Sequence, residues 1–113
     1  THPDFNCPTE DGFIPDSGAI AAAVTASTGV TPRYFGKPYR ETIEMIAELT
    51  AVEPSGMCIF GDRLYTDIAM GKRNGITSVL VLTGETTERD LERSETQPDI
   101  TIKSLADAPA LTW

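Results

Sequence analysis

Two short apolar runs limit what this chain can fold into: "GMCIF" (residues 56–60) and "TSVLVLTG" (residues 77–84). Neither alternates apolar with polar residues, so each is predicted to be a strand buried on both faces, as in a parallel sheet flanked by helices. The segment between them reads as a helix that starts at Thr66 or Asp67. Its end is marked by Lys72 and Arg73 in the last turn, Gly75 just beyond, and Ile76 as the following apolar contact. Strand, helix and strand in that order make a βαβ unit.

The rest of the chain extends the alternation. Residues 1–18 are turn-rich. Ile20, Ala23, Val24 and Ser27 then recur at helical spacing, with Asp16 or Ser17 as N-cap and Gly29 as the C-terminal stop. "PRYFGKP" (residues 32–38) reads as a brief strand ending in a Gly-Lys-Pro turn, and Ile43, Ile46, Ala47 and Thr50 mark an amphipathic helix. After the second apolar run come a short polar helix in "TTERDLERSE", a third strand in "DITI" and a helical turn in "SLADAPAL". From Thr42 onward helices and strands alternate, which predicts right-handed βαβ crossovers and an α/β fold with a parallel sheet.

Composition narrows the function. The 113 residues suffice for one small domain or part of one, and a start at Thr1 rather than Met suggests a processed or dissected polypeptide. The net charge is −8, with the nine Lys and Arg scattered, which argues against nucleic acid as a partner. No run approaches the roughly 18 apolar residues of a membrane span, and no secretory signal opens the sequence, so a cytoplasmic location is expected. Cys7 and Cys58 lack metal-ligand spacing, and Cys58, inside an apolar run, is expected to be buried and free.

Candidate chemistry gathers where the first apolar run meets its helix. In open α/β sheets ligands bind beyond the carboxyl ends of the strands. Asp62 falls there, after Gly61, and Asp67 enters the first turn of the helix. Two carboxylates at one helix start suit a hard divalent cation such as Mg²⁺. The plainer reading makes Asp67 a helix cap and Asp62 a turn residue, and spacing leaves both readings open. Lys37 alone reads as a solvated charge in a turn. Cys58 to Arg63 is C-x4-R, one residue short of the thiol-phosphatase spacing, and Gly71-Lys72 lacks the rest of a P-loop.

Three stretches carry a family resemblance: "FGKP" (35–38), "GDRLYTDIAMGKRNGITSVLVLTGET" (61–86) and "ERSETQPDITIKSL" (92–105). They resemble the C-terminal part of haloacid dehalogenase (HAD) superfamily phosphatases of the NagD-like sugar and nucleotide phosphatase branch. The opening "THPDFNCPTEDGFIPDSGAI" looks like the end of that branch's cap and its return to the core. The resemblance implies a partial Rossmann-like (HAD-like) three-layer sandwich. Residues 1–36 would be the end of the cap and residues 37–113 the C-terminal half of the core. It implies hydrolysis of a small phosphorylated metabolite through an aspartyl-phosphate with Mg²⁺ as cofactor. By the same match Lys37 is the lysine that holds nucleophile and phosphate by charge, and Asp62 is a metal ligand. Asp67 is the second acid, which supports the metal shell or orients the lysine.

The family's first motif, D-x-D-G-T after a strand, supplies the nucleophile, and no such string occurs. The nearest is "TEDGF" (residues 9–13), with Thr9 in the nucleophile's place and no apolar strand before it. A covalent mechanism without its nucleophile has no first step, so the chain by itself is expected to be close to inert. Absence of the nucleophile strand would also bare one edge of "GMCIF". A homodimer, or a companion chain supplying the N-terminal half, is therefore expected rather than a free monomer. Two other readings are a nonenzymatic, oligomerising module derived from the HAD core and a receiver-like phospho-acceptor domain. A receiver places its acids before its lysine, whereas Lys37 precedes both.

Overall fold

Strand β4 (Thr77–Val81) is the middle of a three-stranded parallel sheet, between β3 (Cys58–Gly61) and β5 (Ile100–Ile102). Register aligns Phe60 with Val79 and Val79 with Ile100. With strands on both edges and layers on both faces, β4 loses all solvent contact at Ser78, Val79 and Leu80. That burial is the physical basis of its unbroken apolar run. The computed structural model describes residues 2–111, and Thr1, where the sequence begins, lies outside them.

The sheet is the middle of three layers. On one face Ile43 of α2 (Arg40–Thr50), Met70 of α3 (Ala69–Asn74) and Ile76 form an apolar cluster joined by Met57 and Ile59. On the other face Val79, Val81 and Ile102 pack with Phe60, Ile100, Ala108 and Leu111, so the 3-10 segment Leu105–Ala110 covers that side. Ile59 and Phe60 serve opposite clusters because successive strand residues point to opposite faces. Helix α4 (Glu88–Arg93) joins β4 to β5 and opens with a capping box between Thr87 and Asp90. The alternation predicted from Thr42 onward, and the parallel sheet, are both present.

The chain divides into two compact units, one ending at Gly36 and the other beginning at Lys37. The sheet lies wholly in the second. The first holds an antiparallel hairpin, β1 (Asn6–Thr9) and β2 (Gly12–Pro15), followed by α1 (Ser17–Thr28). Asp16 caps α1 by accepting from Ser17 N at 2.6 Å, and Gly29 closes it in the left-handed conformation at φ 73°, as its spacing predicts.

Five local expectations need correction. The opening contains a hairpin: Thr9 and Gly12 are paired around Glu10-Asp11, so "TEDG" is its turn. Residues 32–38 form no strand. Ile20 and Val24 of α1 are exposed, because the less exposed face of that helix carries Gly18, Ala21, Ala22 and Thr25 instead. Cys58 is exposed, and among the described residues β3 has a strand partner on one edge only. The third helix begins earlier than Thr66, as Asp67 N and Ile68 N both donate to Arg63 O, at 3.0 and 3.2 Å. One wide π-type turn, Leu64–Ile68, thus leads into α3.

Candidate functional site

Asp67 sits where β3 hands over to that wide turn, and it is almost wholly buried. A Cβ on Gly61 would lie 2.2 Å from the Asp67 Cβ, so only glycine lets the carboxylate lie against the end of the strand. Each carboxylate oxygen has its own donor. Oδ1 accepts from Lys37 Nζ at 2.5 Å, and Oδ2 accepts from the Arg63 backbone N–H at 3.2 Å. The Asp67 side chain is 4% exposed and that of Lys37 is 52% exposed. One oxygen thus ties the helix start, as the capping reading of Asp67 expects, and the other holds the lysine.

Asp62 follows Gly61 directly and is held by the loop after β4. Its Oδ2 accepts from Glu85 N at 2.8 Å, and its backbone carbonyl accepts from Thr86 N at 3.1 Å. Gly84 passes so close that a Cβ there would meet Asp62 Oδ2 at 2.0 Å. Arg63 Nε pairs with Glu85 Oε2 at 2.8 Å across the same junction. Partial burial works against the Arg63 charge, but Tyr65, Glu85 and Asp62 together hold its pKa above the ordinary value.

Lys37 and Asp67 are thus brought into contact, and Asp62 stands next to Gly61, on which Asp67 rests. Gly84, Glu85 and Arg63 were not singled out from sequence. Gly84 and Glu85 follow the second apolar run as Gly61 and Asp62 follow the first, and the carboxyl-end rule applies to both strands.

The donor set fits part of a hard-cation site. Asp67 has both oxygens engaged, whereas the loop takes only Oδ2 of Asp62. Among the described residues no three His, Cys, Asp or Glu side chains gather as a metal-holding group. One carboxylate oxygen is a ligand for Mg²⁺, not a complete site.

Residues 34–108 match the HAD-hydrolase-like family model. An acid sugar phosphatase of Staphylococcus haemolyticus is 35% identical over 105 residues, covering 93% of this chain and 40% of that protein. A 4-nitrophenylphosphatase from Thermotoga maritima superposes with a TM-score of 0.87 at 49% identity, over 99% of this chain and 43% of that one. A glycerol phosphate phosphatase from Mycobacterium tuberculosis, solved in complex with magnesium, superposes with a TM-score of 0.79 at 31% identity, over 93% of this chain and 32% of that one. The chain spans about 40% of the length of the curated relatives it matches. Lys37, both acids and the loop that holds Asp62 all fall inside the matched span, and the chain belongs to the HAD-hydrolase-like family.

Proposed function

We propose that this chain is the C-terminal part of a Mg²⁺-dependent phosphatase of the NagD-like branch, acting on small phosphate monoesters of the sugar phosphate or nucleotide class through an aspartyl-phosphate. The observation that carries this reading is the Lys37–Asp67 pair: an ammonium fixed by a buried carboxylate at the carboxyl end of a parallel strand, beside Asp62. Lys37 presents positive charge to a phosphoryl group, with Asp67 keeping its Nζ in place. Asp62 offers Oδ1 to the metal while the loop holds Oδ2. The ion, when bound, neutralises charge on the transferring phosphoryl group. These residues do not supply the nucleophile, since "TEDG" is a hairpin turn with Thr9, not an Asp, in the nucleophile's place. The polypeptide by itself is accordingly inert, and partners are the phosphorylated substrate and the segment that brings the nucleophile.

A chimera tests the proposal. In the Thermotoga maritima 4-nitrophenylphosphatase, the matching segment is replaced by this chain. The chimera is expected to hydrolyse 4-nitrophenyl phosphate with Mg²⁺ and to lose that activity in Asp62→Asn and Lys37→Met. A folded chimera whose rate is indifferent to both substitutions overturns the assigned roles. Robust, Asp62-dependent turnover by the isolated chain would overturn the missing nucleophile.

A further inference from the structure

A carboxylate at the end of an edge strand turns freely about two torsions unless something fixes it, and the loop after β4 does so for Asp62. The Glu85 N–H donates to the carboxylate and the Thr86 N–H to the Asp62 main-chain carbonyl, and the absence of a side chain on Gly84 lets the loop close down. The Glu85 amide is aimed at Oδ2 while the Glu85 side chain is gripped by Arg63 at 2.8 Å. Arg63 also gives its backbone N–H to Asp67. The residue next to Asp62 therefore ties down both acids, Asp67 through its main chain and Asp62 through its guanidinium and Glu85.

We propose that Arg63 and Glu85 are a pair of positioning residues that clamp the β4–α4 loop onto Asp62, fixing its Oδ2 and leaving Oδ1 as the oxygen offered to a divalent cation. This rests on the reading of Asp62 as a metal ligand. Neither residue touches the cation in this role. The pair is also neutral as a unit, so it orders the carboxylate without altering the local charge that the cation meets.

That neutrality gives a test in which geometry and charge predict opposite signs. The isolated chain is titrated with Mn²⁺, following paramagnetic broadening of the Glu85 and Thr86 amide resonances, and amide exchange is measured without metal. Arg63→Met leaves the Glu85 charge uncompensated beside the site, so electrostatics alone tightens Mn²⁺ binding; loss of the clamp weakens it. The double variant Arg63→Met/Glu85→Gln is as neutral as the native pair, so electrostatics alone predicts native affinity. For a half-exposed ion pair the clamp predicts a roughly two- to fivefold rise in the apparent Kd and a similar acceleration of Glu85 and Thr86 exchange in both variants. Tighter binding in Arg63→Met, or native affinity and native exchange in the double variant, overturns the clamp. Asp62→Asn is the control for the metal reading. If it binds Mn²⁺ as the native chain does, Asp62 is not the ligand, and exchange alone then decides whether the loop is clamped.

Discussion

At the scale of single residues, the Lys37–Asp67 pair is asymmetric in a way that its short distance hides. Lys37 is half exposed and water can solvate its ammonium if the partner is lost, whereas the Asp67 carboxylate is buried and depends on its two donors. Removing a donor from a buried charge costs more than removing an acceptor from a solvated one. Lys37→Met is therefore expected to destabilise the fold by about 2 kcal/mol, the scale of a hydrogen bond to a charged group. Asp67→Asn, which keeps an oxygen for the Arg63 amide, is expected to cost about 1 kcal/mol. Urea denaturation of both variants compares them directly, and an equal or reversed order contradicts the assignment of burial to the acid. The glycine contacts make a sharper expectation. Gly84→Ala drives a methyl carbon into the Asp62 carboxylate, which has to rotate away or push the loop off. Loss of protection at the Glu85 amide in hydrogen exchange is the expected result, and a native exchange rate there would mean that the close approach is not real.

At the scale of elements, β4, β5 and α3 are latched together by Asp99. Its carboxylate accepts from Ser78 N at 2.9 Å, Ser78 Oγ at 2.7 Å and Lys72 Nζ at 2.7 Å. The Lys72 ammonium first, and then the two Ser78 donors, hold its pKa down to about 2. A depressed carboxyl stabilises the folded state above its unfolded pKa, near 4, and that contribution is lost as pH falls from about 4 toward 2. The Asp99 side chain is 39% exposed, so solvent screening reduces the contribution to about 1 kcal/mol. Asp99→Asn is expected to lose stability at neutral pH and to flatten the stability curve below pH 4. An unchanged acid limb would show that the latch is open in solution. Of the strands this latch joins, β4 was legible in sequence because burial on both faces leaves a continuous apolar run, and helix ends were legible because Asp16, Gly29 and Gly75 satisfy backbone groups locally. The β1–β2 hairpin was not, since its residues are largely exposed and carry no alternation. Lys37, Asp62 and Asp67 were singled out through turn position and family motif, and the structure brings Lys37 onto Asp67. Arg63 and Glu85 were missed because their pairing is made between two loops 22 residues apart, which no local pattern records.

At the scale of the whole molecule, the unfinished feature is the outer edge of β3. Its apolar composition matches that of β4, yet among the described residues β3 has one strand partner, and Cys58 on it is exposed. Beside it runs an apolar groove of about 330 Å³, walled by Ile43, Ile46, Val52, Met57, Ile59 and Met70. An edge with no strand beside it among the described residues, next to an apolar groove, fits a further strand carrying its own apolar face. The relatives carry more than half their length outside the matched segment, and we propose that the equivalent segment covers this edge. Covering even a few hundred Å² of apolar surface at about 25 cal/mol per Å² contributes several kcal/mol, comparable with the whole stability of a small domain. The two cysteines report on this directly. Cys58 lies on the edge, and Cys7 lies in the hairpin of the other unit. Co-expression with the unmatched N-terminal segment of the Thermotoga maritima relative is expected to give a one-to-one complex in which Cys58 is protected from alkylation while Cys7 stays reactive. Without that segment the chain is expected to self-associate through the same edge, with the same selective protection. A monodisperse species of 12.2 kDa in sedimentation at micromolar concentration, with both cysteines reactive whether or not the segment is present, would refute the edge as an interface.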